Sequence, residues 1–157
     1  MLRTSRKGAL MTDKDIPLYA DIRLSMAAWQ GDNKTVRALL DAGADVHAQV
    51  DAPLWHAGLN GQTDTIRTLL DAGADQDIAL LVAAENGLIE LVRELLAKGA
   101  DVHMCGGFPL LMAALNGHSE TVKALLVAGA DARDGAALAV AVEKDHADTV
   151  RVLKDWR

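Results

Sequence analysis

The sequence is poor in several things that would each point to a particular class of protein. It has a single cysteine, Cys105, so no internal disulfide can form and nothing marks an oxidising compartment. Aromatic residues make up only 3% of a chain that is half apolar, so leucine and small side chains must fill any interior. No apolar run approaches the roughly 18 to 20 residues of a membrane span. The start, Met1 to Leu10, is basic, but Asp13, Lys14 and Asp15 interrupt it before the apolar run a secretory signal needs. Excess positive charge is missing as well. A net charge of −6 argues against non-specific nucleic-acid binding, which needs cations to displace counterions from phosphate. A soluble, cytoplasmic protein is expected, with secretion as an effector left open. Residues 1–15 are expected to form a flexible tail, and Met1 and Met11 both stand as starts.

What is present is a repeated phrase. Gly-Ala-Asp occurs at 43–45, 73–75, 99–101 and 129–131, giving glycine spacings of 30, 26 and 30 residues. Before each copy, Val36/Leu39/Leu40, Ile66/Leu69/Leu70, Val92/Leu95/Leu96 and Val122/Leu125/Leu126 fall at i, i+3 and i+4. That spacing lays one apolar stripe along a short helix. Asp64 with Arg67, Glu90 with Arg93, and Glu94 with Lys98 keep the opposite side wet. The glycine then stands where a helix ends in a left-handed residue, and the aspartate suits a turn hydrogen bond.

Upstream of each such helix lies a more apolar one. Leu24, Leu54, Leu80, Leu110 and Leu138 each precede a pair of smaller residues, ending in Ala27-Ala28, Ala57-Gly58, Ala83-Ala84, Ala113-Ala114 and Ala141-Val142. A large anchor beside small residues lets a neighbouring helix approach closely. Self-similarity at this period predicts stacked repeats, in which each unit buries its apolar face only against its neighbours.

In these elements the chain resembles ankyrin repeats over about residues 20–157. Pro53-Leu54 and Pro109-Leu110 match the start of the family's first helix, Gly117-His118 its Gly-His turn, and Leu-Leu-x-x-Gly-Ala-Asp its ending. The resemblance implies an all-α, helix-turn-helix repeat solenoid with little or no β-hairpin. A repeat domain is expected over 16–157, with units near 20–45, 46–75, 76–101, 102–131 and 132–157. The family period is about 33 residues, and the residues missing here all come from the hairpin fingers, which should be stunted and nearly absent after Asp75. In the fifth unit Lys154 replaces the second leucine, which reads as a polar cap on a complete short stack.

The resemblance also implies protein binding through a concave groove formed by the first helices and finger tips. The two residues after each small pair would face it. These are Trp29-Gln30, Leu59-Asn60, Glu85-Asn86, Leu115-Asn116 and Glu143-Lys144, of which Glu143 and Lys144 make a charged end. The alternative for Trp29 is burial beneath the segment around Leu18 and Tyr19. In the finger remnants, Met104 and Phe108 would add apolar area next to Leu115, although Phe108 is placed rather beneath its own loop. Trp55 and Leu111 are expected to pack at the edge of the core.

Chemistry at a point is not expected. His47 and His103 hold equivalent places two repeats apart, roughly 20 Å at ordinary helix spacing, too far to share a metal. Ser5, Ser25 and Ser119 lie outside any nucleophile turn, and no phosphate-binding glycine loop is present. The aspartates at 45, 75, 101 and 131 are one per repeat. Cys105 has no neighbouring base. The protein is therefore read as a non-enzymatic module with no cofactor or metal that binds another protein. The alternative is a homo-oligomeric assembly subunit, a homodimer, using the same apolar surface.

Overall fold

The computed structural model describes residues 17–156, which form ten α-helices and no strand. The tail expected at residues 1–15 lies outside the described residues. The helices come in pairs: α1 (Pro17–Gln30) with α2 (Asn33–Asp41), α3 (Ala48–Leu59) with α4 (Thr63–Asp71), and α5 (Gln76–Glu85) with α6 (Ile89–Ala97). The remaining pairs are α7 (Met104–Leu115) with α8 (Ser119–Val127), and α9 (Ala136–Glu143) with α10 (Ala147–Asp155). The chain divides between Ala74 and Asp75 into two compact units. In the first, α1 packs on α3 and α2 on α4. In the second, α5 packs on α7 and α7 on α9, while α6 packs on α8 and α8 on α10.

The predicted anchors make the cores. Leu24 and Leu54 are fully buried in the first unit, as are Leu80 and Leu125 in the second, each worth about 1.5–3 kcal/mol. Ala28, Ala84 and Ala114 are completely covered, because helix backbones close in where a methyl group is the largest obstacle. Val142, at the same place in the fifth pair, is 57% exposed and has no following helix against it among the described residues.

Every second helix that precedes Gly-Ala-Asp stops in one way. The N–H of Ala44 donates to Leu39 O (2.9 Å) and that of Gly43 to Leu40 O (2.9 Å), with the glycine at φ +89°. The same pair of bonds closes the helices at Gly73, Gly99 and Gly129. This is the two-bond, left-handed helix ending in which glycine avoids a Cβ clash. The following aspartates accept from the backbone two residues on, at 2.9, 2.8, 2.8 and 2.9 Å for Asp45, Asp75, Asp101 and Asp131. Asp75 also accepts from Ile78 N at 3.1 Å and so caps α5 directly. One side chain serves as both turn and cap, which is how the shortest connection is achieved.

The two longer connections, before Pro53 and Pro109, carry no hairpin. Instead they coil left-handed for three residues, Gln49-Val50-Asp51 in one and Cys105-Gly106-Gly107 in the other. Two glycines suit that path in the second copy. In the first, a β-branched Val50 sits at φ +59° with 85% of its surface exposed, a conformation that costs an L-residue about 1–2 kcal/mol. Asp51 steadies this loop by accepting from His47 Nδ1 at 2.7 Å. Val50→Gly is therefore expected to raise stability by about 0.5–1 kcal/mol, the strain relieved less the entropy glycine adds to the unfolded chain. A chemical-denaturation midpoint that falls instead would contradict the strain.

Candidate protein-interaction surface

The residues after the small pairs occupy the C-terminal ends of α1, α3, α5, α7 and α9. In the first unit, Trp29 is 51% exposed and Leu59 63% exposed. Asn60 Nδ2 donates to Trp29 O at 2.8 Å, so the amide next to Leu59 ties the end of α3 to the end of α1. Gln30, next to Trp29, is exposed as well. In the second unit Glu85 and Leu115 are half-buried. Asn86 Nδ2 donates to Val82 O at 2.8 Å, and Asn116 Nδ2 to Glu85 O at 3.1 Å. The predicted asparagines are thus structural ties first, and their amides are already engaged.

One expectation for the finger remnants is corrected. Phe108 is 42% exposed rather than tucked beneath its loop, because the left-handed turn just before it directs the chain outward. Met104 is half-buried and opens α7, whereas Leu115 closes it. Trp55 and Leu111 are half-buried, as core-edge packing requires.

A feature not foreseen in detail fixes this row in place. In the second unit, His118 Nε2 donates to Glu85 O and His146 Nε2 to Leu115 O, each at 3.0 Å. A carbonyl only accepts, so Nε2 carries the proton in both rings. Each imidazole lies flat over the turn glycine of the preceding repeat. A Cβ on Gly87 would come 2.6 Å from His118 Nδ1, and one on Gly117 would meet His146 equally closely. In the first unit Gln62 covers Gly31 in the same way. The Gly117-His118 phrase hints at this role, but only the structure shows which carbonyl each ring takes.

The cavity best formed among the described residues lies elsewhere, at the finger end of the second unit. It measures about 730 Å³ and is walled by Leu138, Leu153 and Trp156, with His103, Asp131 and Arg133 at its rim. Arg133 grips Asp131 with two hydrogen bonds, of 2.9 and 2.7 Å, and holds that carboxyl far below the usual range. Asp32 is lowered too, chiefly by the Thr35 hydroxyl at 2.6 Å. Each shift has a local partner that accounts for it. Among the described residues no group of His, Cys, Asp and Glu converges as a metal site would require. No described helix is long and apolar enough to cross a membrane.

Within each unit the first helices end in one or two such side chains per repeat, an arrangement that defines a helical-repeat protein. The family model described as ankyrin repeats (3 copies) matches residues 24–105 and 80–156, and the chain belongs to the ankyrin-repeat family. No curated protein matches the chain. Members of the family are generally protein–protein interaction modules and typically not enzymes.

Proposed function

We propose that this protein binds a partner protein through the groove side of its first helices. Trp29 and Leu59, flanked by Gln30 and Asn60, form the apolar part. On the second unit the corresponding residues Glu85, Asn86, Leu115 and Asn116, together with Met104, are read as contacts of the same kind. The observation that carries this reading is that Trp29 and Leu59 are each more than half exposed, at helix ends whose backbones Asn60 ties together. Tryptophan is enriched among binding hot spots, and a surface already in place pays little ordering entropy on association. The Trp29→Ala, Leu59→Ala double variant is expected to reduce capture of partners from the native cell more than about tenfold. Quantitative mass spectrometry of the captured proteins, beside circular dichroism showing unchanged helix content, reads the result. Undiminished capture by the folded variant would remove the site from this place.

A further inference from the structure

Three of the first helices are followed by the same dipeptide: Asn60-Gly61 after α3, Asn86-Gly87 after α5 and Asn116-Gly117 after α7. Asparagine before glycine is chemically labile. The glycine nitrogen has no side chain beside it, so once deprotonated it can attack the asparagine Cγ. An N–C bond forms, the Cγ–Nδ2 bond breaks, and ammonia leaves with the proton. Water then opens the cyclic imide at either carbonyl, leaving aspartate or its β-linked isomer. The folded turns hold this reaction back. With ψ of 11, 5 and 4° at Asn60, Asn86 and Asn116, each glycine nitrogen eclipses the asparagine's own nitrogen and is turned away from Cγ. Conversion therefore waits for a turn to open, and the turn that opens most easily reacts first.

The three turns are not held equally. Asn86 and Asn116 donate their backbone N–H to carbonyls four residues back, Val82 O at 3.2 Å and Met112 O at 3.1 Å. Their Nδ2 groups return to the same carbonyls at 2.8 and 3.1 Å. Among the described residues Asn60 makes neither of these bonds to its own helix, and its Nδ2 goes across to Trp29 O instead. The last turn of α3 also contains Gly58 where α5 and α7 have Ala84 and Ala114, and glycine holds a helix less well than alanine. Asn60 and Gly61 are both exposed, whereas Gly87 and Gly117 are half-buried beneath His118 and His146. One distance runs the other way. Gly61 N donates to Gly58 O at 2.9 Å, against 3.4 and 3.3 Å for the bonds from Gly87 and Gly117. That is one bond, closing on a glycine, against two further bonds and an imidazole at each of the other turns.

We propose that Asn60 is a deamidation site, the first of the three to convert in the folded protein, and that its conversion unties the helix ends that carry Trp29 and Leu59. The amide donates to Trp29 O. The carboxylate that replaces it only accepts, so two oxygens would face each other where a hydrogen bond had been. The new charge also stands at the C-terminus of α3, where the helix dipole opposes a negative group. The β-linked isomer adds a carbon to the main chain at the same point. Its effect on binding rests on the reading of this surface as the partner site, whereas the chemistry at Asn60 does not.

The full chain is held at mildly alkaline pH, sampled at intervals, cut with trypsin and weighed by mass spectrometry. Residues 38–67, 68–93 and 99–123 form three tryptic peptides with one asparagine each, so the sites are read separately. In the folded protein the Asn60 peptide should gain one mass unit at least about fivefold faster than either other, the factor that one further hydrogen bond to break would impose. Fragment ions place the change on Asn60. In concentrated urea the three should convert within about twofold of one another, since the protecting turns are then gone. Equal rates in the folded protein overturn the proposal. So does faster conversion of Asn86 or Asn116, or an Asn60 that stays intact while the urea sample reacts. Asn60→Asp installs the product and should lower the thermal midpoint by about 2–4 °C, with capture of partners from the cell falling at least about fivefold. An unchanged midpoint would overturn the untying of the helix ends. The two readings fail separately. Normal capture by the Trp29→Ala, Leu59→Ala variant sinks the groove and leaves the mass result at Asn60 standing, whereas an unreactive Asn60 sinks this site and leaves the groove.

Discussion

Gly87→Ala is expected to cost about 2–5 kcal/mol, far more than a single methyl group suggests. Gly87 has φ +66°, which an alanine adopts only at about 1–2 kcal/mol. The added Cβ would stand 2.6 Å from His118 Nδ1, against a ring that is part-buried and bonded to Glu85 O. Imidazole and methyl cannot share that space, so the ring must leave the carbonyl, adding roughly 1–3 kcal/mol for a hydrogen bond lost from a shielded site. Gly99→Ala provides the control. Its φ of +88° is as unfavourable, but nothing lies within 4 Å of the new Cβ, so only the backbone cost of about 1–2 kcal/mol applies. Thermal melts should place the Gly87 variant about 6–15 °C below the native protein and the Gly99 variant about 3–6 °C below it. Equal losses would show that the histidine does not depend on the glycine beneath it. The same ring fixes the end of α7 to that of α5, so the Gly87 variant should also loosen the relation of Leu115 to Glu85.

Much of this architecture was legible in the sequence because each repeat solves its problems with the same local chemistry. Gly43, Gly73, Gly99 and Gly129 could be placed at left-handed helix ends from the leucines before them, and the four aspartates in turns from their place after the glycines. The pairs Arg67–Asp64, Arg93–Glu90 and Lys98–Glu94 follow from helical spacing and close at 2.9, 3.1 and 2.8 Å. Side chains whose position depends on a neighbouring repeat were less readable. Asn60 and Asn116 were assigned to partner contact from the register of the family. That register does not reveal that the carbonyl of Trp29 or Glu85, on the preceding first helix, claims each amide. Phe108 was misplaced because its direction is set by three left-handed residues whose conformation no local propensity forces, as the Val50 copy of the same turn shows.

Ala114→Leu is expected to destabilise the second unit by about 3 kcal/mol, while Val142→Leu leaves it within about 0.5 kcal/mol of the native protein. The two positions are equivalent in sequence, each closing the small pair of a first helix, yet Ala114 is fully covered and Val142 is 57% exposed. Around Ala114, α7 packs against both α5 and α9. Three further carbons can be fitted there only by moving a helix or forcing strained rotamers, and overpacking of that kind costs about 1–3 kcal/mol or more. At Val142 the added carbon enters solvent, so almost nothing opposes it. Urea denaturation should show the midpoint falling for Ala114→Leu at an unchanged m-value, since the same surface is exposed on unfolding. The consequence reaches the proposed recognition row, because Leu115 follows Ala114 directly and takes its place from that packing. A leucine at 114 that proved neutral would mean the repeats are not spaced by their small residues, and the row of exposed side chains would then lack the rigidity on which its binding role depends.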